Sequence, residues 1–155
     1  EISQVLRSIK FLTLDGEIKT YSKSELVFAY RKTTFPSKDG IVIEAELDLE
    51  KGEIPDIHRK MDKYFSRRGS TQPLTMPNSG SIFKNPDGDK AGRLIESAGL
   101  KGCRIGGASV SIKHVNFIVN KGGALAEDVI RLIKHIQSVV EEKTGVKLDQ
   151  EIIVI

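Results

Sequence analysis

The middle of the chain contains the stretch PNSGSIFKNP, residues 77–86, in which two prolines and a glycine flank the apolar pair Ile82 and Phe83. Proline and glycine interrupt regular structure, and three of the five prolines lie between residues 69 and 90. We therefore expect an irregular segment there, with one short strand at 81–83. Around it, the patterns run as strands, helix, strand, helix, strand, helix and strand, which favours an α+β fold over regular βαβ repeats.

The polar residues of this stretch allow a catalytic and a structural interpretation. Ser81 fits a proton donor, and it equally fits a strand-start hydroxyl that bonds to nearby backbone. The GxSxG spacing of an acyl-transfer nucleophile is absent, because apolar residues follow the serine. Lys84 and Asn85 precede Pro86, which restrains them to an extended conformation. A fixed cation and amide suit an anionic ligand, and an ordinary loop lysine is the alternative.

Toward the N-terminus, residues 4–14 and 17–21 are rich in β-branched and other apolar residues, and Asp15-Gly16 separates them. This pattern predicts two antiparallel strands joined by a tight turn. Apolar and acidic residues alternate over 41–50. The alternation predicts a further strand with one face in the core and the other in solvent.

The segment between these strands carries turn and loop signals. We expect a short helical turn over 25–29, capped by Ser22 or Ser24. The following stretch YRKTTFPSKDG, residues 30–40, reads as a loop. Arg31 in this loop has two interpretations, since a loop arginine is usually solvated but is also well shaped to bind a carboxylate through two hydrogen bonds.

The residues after position 52 predict three helices and several strands. The first helix is expected over 55–68, with Pro55 in its first turn. It has an apolar stripe expected to face the core. The basic residues on its other faces are either solvated or attract phosphate. The glycine-rich RIGGASVS at 104–111 lacks the GxGxxG spacing of a dinucleotide site. The remaining elements are expected as follows: helices at 91–98 and 124–144, each stopped by glycine, and strands at 114–120 and 146–155.

Composition limits the class of protein. The chain has 155 residues, 39% hydrophobic and 29% charged, which is ordinary for a globular protein. Its formal charge of +3 is too small to indicate nucleic acid, and an anionic small ligand fits equally well. Cys103 is the only cysteine, so an intrachain disulfide is excluded and a reducing cytosol is expected. The three histidines lack ligand spacing, so no metal site is expected, and no apolar run approaches the roughly 20 residues that span a bilayer.

A carboxylate stands out in the closing stretch LDQEIIVI, residues 148–155. In a regular strand, alternation would place Glu151 on the same side as Ile153, the side expected to be buried. A buried carboxylate needs a partner or a chemical role. Glu151 is therefore a candidate site residue.

Four segments of the chain form a recognisable set: YRKTTF at 30–35, PNSGSIFKNP at 77–86, AGRLIESAGLKGCRIGGASVSIKHVNFIVN at 91–120 and LDQEIIVI at 148–155. Together they resemble the UDP-N-acetylenolpyruvoylglucosamine reductases, the MurB family of peptidoglycan synthesis. They occur in the family's order, and the match covers nearly all of the chain. The form TQPLTMPNSGS is similar to the shorter type II branch of the family.

The resemblance implies NADPH-dependent reduction of UDP-N-acetylglucosamine enolpyruvate to UDP-N-acetylmuramate, with FAD carrying the hydride. It implies that Ser81 is the proton donor, supported by Lys84, and that Arg31 and Glu151 stabilise the enolate. The expected location is the cytoplasm, with neither membrane nor nucleic acid as a partner. The resemblance further implies these substrate contacts: Tyr30, Lys84, Asn85, His114 and Asn116.

The chain departs from the family pattern in two respects. Nothing in it resembles the glycine-rich loops of the family's N-terminal FAD subdomain, so we expect the C-terminal portion of the enzyme, whose partner is the missing FAD-binding portion. Residues 1–52 would then be the remainder of the second flavin-binding subdomain, and 53–155 the substrate-binding domain. Such a chain alone should bind FAD poorly and be inactive. Thr33 stands where the family more often has serine, which keeps the hydroxyl.

A different class of function is a non-catalytic module that binds a nucleotide sugar. Such a module would use the basic loop but would need neither Ser81 nor Glu151. Nucleic-acid binding is disfavoured, because the chain has no tryptophan and no aromatic platform interleaved with basic residues.

Overall fold

The computed structural model describes residues 1–37 and 39–154. The chain divides into two compact units, residues 1–57 and 58–155, and each has its own apolar core. Both units combine helices with antiparallel sheets, which confirms the α+β fold expected from the sequence. Among the described residues, no helix combines the length and the apolar character needed to cross a bilayer.

The first unit is built on a three-stranded antiparallel sheet, in which the central strand Leu6–Thr13 lies between Ile18–Ser22 and Gly40–Leu47. The hairpin at Asp15-Gly16 is confirmed: Gly16 has a φ of 87° and its N–H donates to Thr13 O, a left-handed conformation that glycine adopts without strain. A small core forms around Phe11 and Tyr21. The elements are α1 Ile2–Val5, β1 Leu6–Thr13, β2 Ile18–Ser22, a 3₁₀ turn Lys23–Glu25, β3 Val27–Ala29, β4 Lys32–Thr34 and β5 Gly40–Leu47.

Three local expectations for the first unit are wrong. Residues 4 and 5 belong to helix α1 rather than a strand, because Glu1 and Gln4 cap each other reciprocally. The helical turn expected over 25–29 ends at Glu25, where the Glu25 carboxylate accepts the Ser22 N–H at 2.8 Å. The next residues pair as the hairpin β3–β4 instead of forming a loop.

Strand β5 forms where the alternation predicts it but lacks the expected buried face. All eight of its residues are exposed, including Ile41 at 63% and Ile43 at 48%. Among the described residues, β5 is an edge strand that pairs only with β1. Alternating hydrophobicity therefore identified the strand correctly but did not reveal what covers it.

Helix α2, Ile54–Thr71, joins the two units and is longer than expected. None of its residues is buried, so the apolar stripe expected to face a core is exposed, with Tyr64 at 65% and Phe65 at 66%. The chain divides within this helix, between Ile57 and His58. The assignment of residues 1–52 and 53–155 to flavin and substrate roles stays a prediction.

In the four-stranded antiparallel sheet of the second unit, the strands lie in the order Asn78–Ser81, Phe117–Asn120, Ala108–Val110 and Arg104–Ile105. Helix Ala126–Thr144 packs against the last two of these strands and against helix Ala91–Ser97. Both expected helices are present, and each stops at a glycine with positive φ, Gly99 at 78° and Gly145 at 71°. The core contains Leu132, Ile133 and Ile136, which recur at helical spacing. The elements are β6 Asn78–Ser81, α3 Ala91–Ser97, β7 Arg104–Ile105, β8 Ala108–Val110, β9 Phe117–Asn120 and α4 Ala126–Thr144.

Two strand expectations in this unit need correction. The short strand predicted at 81–83 ends at Ser81 and begins at Asn78. Of the terminal strand predicted at 146–155, residues 146–154 form only a single antiparallel bridge, between Phe83 and Gln150, and residue 155 lies outside the described residues. Ile153 is 87% exposed, so the side on which Glu151 was expected to lie is not a buried face.

Candidate functional site

A β-bulge in strand β6 sets the direction in which Ser81 faces. Asn78 pairs with Val119, whereas Ser81 pairs with Phe117, so β6 contains one residue more than the strand opposite. Gly80 supplies this extra residue at a φ of 81°, and its N–H donates to Asn78 Oδ1 at 2.9 Å. Because a shift of one residue turns side chains to the other face, the bulge sets Ser81 on the face that Phe117 occupies.

Ser81 is half-buried. In the part of the chain that the structure describes, no hydrogen bond is recorded for its hydroxyl. Directly opposite residues of an antiparallel pair have neighbouring side chains, so the hydroxyl lies beside the buried ring of Phe117. The structural interpretation, a hydroxyl bonded to nearby backbone, is therefore not the arrangement found here, and the hydroxyl is available to a ligand.

His114 lies against the same aromatic ring. Its imidazole centroid is 4.7 Å from that of Phe117, and its backbone N–H donates to Ser111 Oγ at 3.2 Å. The His114 Nδ1 atom is buried and, within residues 1–37 and 39–154, has no hydrogen-bond partner. Buried polar atoms are rarely left unpaired, so this nitrogen is suited to a polar group of a bound molecule.

The segment that follows Ser81 is fixed by hydrogen bonds along both sides. On one side, Ile82 N–H donates to Asn116 O at 2.9 Å. On the other, Glu151 N–H donates to Ile82 O at 2.8 Å, and Lys84 N–H donates to Asp149 O at 2.8 Å. These bonds bring the backbones of Ser81, Lys84 and Glu151, which are far apart in sequence, into one small region of the second unit. Glu151 is half-buried there.

Asn116 is paired with the protein's own backbone. It is only 5% exposed, and its side-chain amide is bonded at both ends to the backbone of Phe83. Oδ1 accepts the Phe83 N–H at 3.0 Å, and Nδ2 donates to Phe83 O at 2.8 Å. The amide therefore continues the strand pairing where the regular strand β9 begins.

Lys84 and Asn85 begin a loop that is fixed at its far end. Asn85 Oδ1 accepts the N–H of Ala91, the first residue of α3, at 3.1 Å. Further along, Asp89 forms an ion pair with Arg93, and the hydrogen bond from this guanidinium lowers the pKa of Asp89 to about 2. The loop is thus tied to α3, while the half-buried Lys84 follows directly after the fixed strand segment.

Tyr30 and Arg31 lie in the first unit, at the turn between β3 and β4. Arg31 has a φ of 55° and is the only described non-glycine residue with positive φ, a conformation that strains ordinary side chains and is concentrated at functional sites. Its guanidinium carbon lies 5.4 Å from the centroid of the Tyr30 ring. The two residues line a cleft of about 670 Å³ together with residues 1–3 and others of 28–33.

The glycine-rich turn between β7 and β8 is occupied by a carboxylate. Asp128, at the start of α4, accepts the N–H groups of Leu125 and Gly107, both at 3.1 Å. These two hydrogen bonds lower the pKa of Asp128, and the bond from Leu125 has the larger effect. Sequence reasoning missed this residue, although an acid at the start of a helix near a Gly-Gly turn was a usable signal. The turn is not free to bind an anionic ligand.

No group of three or more histidine, cysteine, aspartate or glutamate residues suited to a metal ion occurs among the described residues. Six of the eight expected residues lie in the second unit, and Tyr30 and Arg31 lie in the first. Their chemical roles stay predictions.

Comparison with known proteins tests the resemblance. A family model described as the C-terminal domain of UDP-N-acetylenolpyruvoylglucosamine reductase matches residues 72–155. The chain belongs to this family. The matched range contains Ser81, Asn116 and Glu151, so the resemblance drawn from the sequence is confirmed.

Relatives in the reductase family match the full chain. UDP-N-acetylenolpyruvoylglucosamine reductase of Shouchella clausii is 46% identical over 155 residues, which is 100% of this chain and 50% of the relative. The protein of that name from Clostridium perfringens is 44% identical, over 100% of this chain and 51% of the relative. The crystal structure of the reductase (MurB) from Thermus caldophilus aligns with a TM-score of 0.81 and 38% identity, covering 96% of this chain and 52% of that one. The chain thus spans about half the length of the relatives it matches.

Proposed function

We propose that this chain supplies the substrate-binding domain and the catalytic side chains of a cytoplasmic UDP-N-acetylenolpyruvoylglucosamine reductase. The substrate is UDP-N-acetylglucosamine enolpyruvate, the product is UDP-N-acetylmuramate, and FAD and NADPH are the redox cofactors. Membership of the reductase family supports this class of reaction. The observation that carries the proposal is the unpaired hydroxyl of the half-buried Ser81 beside a backbone fixed to Glu151.

The flavin is assigned to a partner portion, corresponding to the half of the relatives that this chain does not match. The glycine-rich turn between β7 and β8 does not fit a dinucleotide diphosphate, because Asp128 already accepts the Gly107 N–H and would repel an anion. Reduced flavin, when bound to the partner portion, supplies the hydride. The residues of this chain bind the substrate, stabilise the negative charge that hydride addition creates, and deliver the proton.

The chemistry requires a cation near the carboxylate and an acid near one carbon. Addition of hydride to the terminal CH₂ carbon leaves an electron pair on the ether-bearing carbon, delocalised into the carboxylate as an enolate. Arg31 stabilises the enolate charge, with Glu151 assisting. Ser81 transfers its hydroxyl proton to the ether-bearing carbon, and Lys84 supports the resulting alkoxide. Hydride and proton together account for the two hydrogens gained by the product.

Substrate contacts are further proposed for the polar residues that the family resemblance implies. Lys84 and Asn85 suit the diphosphate, since a fixed cation and an amide donor both favour anionic oxygen atoms. His114 offers its unpaired Nδ1, and Tyr30 lies beside Arg31 at the strained turn. The amide of Asn116, by contrast, is bonded to Phe83 at both ends and the residue is only 5% exposed, which limits its access to a substrate.

The test separates the two half-reactions in the flavin-loaded assembly that contains this chain. Ser81→Ala should leave reduction of the flavin by NADPH unchanged and slow its reoxidation by the enolpyruvyl substrate about 10²- to 10⁴-fold, the range for loss of a general acid. Stopped-flow absorbance of the flavin measures both steps. Ser79→Ala removes an exposed hydroxyl from the same strand and should change neither rate.

Unchanged reoxidation in Ser81→Ala would reject the proton-donor role. If Glu151→Gln also left reoxidation unchanged while substrate affinity stayed intact, the alternative of a non-catalytic nucleotide-sugar-binding module would replace the enzymatic proposal. The two variants together therefore decide between the two classes of function.

A further inference from the structure

The side chain of Asn116 acts as a substitute peptide group. A backbone peptide presents one C=O acceptor and one N–H donor, and a carboxamide presents the same pair. Asn116 uses Oδ1 to accept the Phe83 N–H at 3.0 Å and Nδ2 to donate to Phe83 O at 2.8 Å. Its own backbone C=O accepts the Ile82 N–H at 2.9 Å. A single residue thus pairs with two successive residues of the strand.

This pairing lies at the point where regular strand pairing stops. Strand β9 pairs with β6 through Phe117 and Ser81, and Asn116 precedes the first residue of β9. Beyond Ser81, the only further β pairing of the segment in the described chain is the bridge between Phe83 and Gln150, on the opposite side. Without the carboxamide, the bond from Ile82 N–H to the Asn116 backbone C=O would remain on the β9 side, but Phe83 would lose both of its bonds on that side.

Both atoms that Asn116 pairs are deeply buried. Phe83 is 1% exposed and Asn116 is 5% exposed, so water cannot replace the bonds when the amide is removed. A buried N–H or C=O that loses its partner carries the full cost of desolvation. The segment would therefore shift to find new partners instead of keeping its position.

The segment that would shift connects three candidate site residues. Ser81 immediately precedes it, Lys84 ends it, and Glu151 is bonded to it through Ile82 O at 2.8 Å. Proton transfer to carbon depends steeply on the distance and angle between donor and acceptor, and a misplacement of about 1 Å costs on the order of 10²-fold in rate.

We propose that Asn116 is a positioning residue for the reductase reaction, which acts by fixing Ser81 and Glu151 through Phe83 without touching the substrate. This inference rests on the proposed function. It differs from the substrate contact implied by the family resemblance, and it predicts a loss in the rate of proton delivery rather than in substrate affinity.

The experiment compares Asn116→Leu, Asn116→Asp and Val140→Ala in the flavin-loaded assembly. Leucine matches asparagine in shape and removes both bonds. Aspartate keeps an acceptor for the Phe83 N–H and loses the donor to Phe83 O. Val140, at 0% exposure on α4, is a core residue of the same unit outside the site, and its truncation serves as the control for lost stability. Urea unfolding ranks the stability of the three variants, and kinetics are recorded where each stays folded.

Asn116→Leu should slow substrate-dependent flavin reoxidation about 10- to 100-fold, with the rate of flavin reduction by NADPH and the substrate Kd unchanged. Asn116→Asp should be intermediate, and Val140→Ala should keep the wild-type reoxidation rate despite its lost stability. A wild-type reoxidation rate in both Asn116 variants overturns the proposal, because the residue is then only structural. A raised Kd with an unchanged rate also overturns it, in favour of a direct substrate contact.

The failure of this inference can be told from failure of the proposed function. If Ser81→Ala stalls reoxidation while the Asn116 variants do not, only the positioning role is lost. If Ser81→Ala itself has no effect, the proton-donor assignment and the positioning role that depends on it are both lost.

Discussion

Gly107, in the turn between β7 and β8, has no room for a side chain. A Cβ atom there would lie 2.3 Å from Ala124 N and 2.5 Å from Ala124 Cα. These are backbone atoms, which cannot rotate away as the end of a side chain can. Gly107→Ala therefore requires the turn to separate from the segment before α4 by about 1 Å, since ordinary van der Waals contact begins near 3.4 Å.

The magnitude follows from the bonds that this separation breaks. Gly107 N–H donates to Asp128 Oδ2 at 3.1 Å, and Gly107 O accepts the Lys121 N–H at 3.0 Å. Gly107 is buried, and each buried group left unpaired costs about 1–3 kcal/mol. The free energy of unfolding should thus fall by about 2–6 kcal/mol, which lowers the Tm of a unit of this size by about 10 °C or more.

Far-UV circular dichroism under heating and urea is a suitable assay, because the second unit contains the 19-residue helix α4. Gly92→Ala is the matched control. Gly92 is in helix α3, where a Cβ would meet only Val115 Cγ2 at an ordinary 3.6 Å, so alanine should raise stability by about 0.5–1 kcal/mol. The same substitution should therefore act with opposite signs at the two positions. A Tm for Gly107→Ala within about 2 °C of wild type would refute the reasoning.

Two further predictions concern charge. The backbone N–H groups of Leu125 and Gly107 lower the pKa of Asp128 from its ordinary 3.8, so the stabilisation that its carboxylate provides is complete above that value and is lost as pH falls through the lower pKa of the folded state. The urea midpoint of Asp128→Asn should therefore lie below that of the wild type at neutral pH, and the difference should shrink below pH 3.8. A difference that stays constant with pH would contradict the pKa shift. Arg31→Gly relieves a φ of 55°, so the free energy of unfolding should stay the same or rise by up to about 1 kcal/mol. Substrate-dependent flavin reoxidation should slow by about 100-fold or more, because the cation that stabilises the enolate is lost. Lost stability with unchanged kinetics would show that Arg31 serves only the turn.

Local signals in the sequence identified the elements whose geometry is local. Asp15-Gly16 fixed the first hairpin, and Gly145 marked the end of α4, because both depend on a backbone conformation that glycine adopts readily. The periodic apolar residues of α4 identified its buried stripe. These features needed no knowledge of the partner surface.

Elements that depend on distant parts of the chain were less predictable. The β3–β4 hairpin was missed, because its turn uses Arg31 in a conformation usually adopted by glycine or asparagine. The terminal segment was expected to be a strand from its composition, but only Gln150 forms a β bridge in the described chain. Strand formation needs a partner of suitable length, which composition does not report.

Some residues of the candidate site could also be identified from local sequence signals, whereas the role of others depends on contacts between distant parts of the chain. Ser81, Lys84 and Asn85 stood out in one short motif, and the bulge at Gly80 explains why a glycine precedes the serine. The role inferred for Asn116 rests on bonds to Phe83, 33 positions away in sequence. No spacing rule connects two such residues, so only the folded chain reveals the pairing.

The exposed strand β5 has a practical consequence for anyone handling this chain in isolation. An eight-residue edge that carries isoleucine and valine, with no neighbour on its outer side among the described residues, is a template for adding strands from other molecules. Colloidal stability should therefore decline as the protein is concentrated, even where the fold itself is intact. Lysine in place of the exposed Ile43 would discourage such strand addition by charge repulsion, without altering either apolar core.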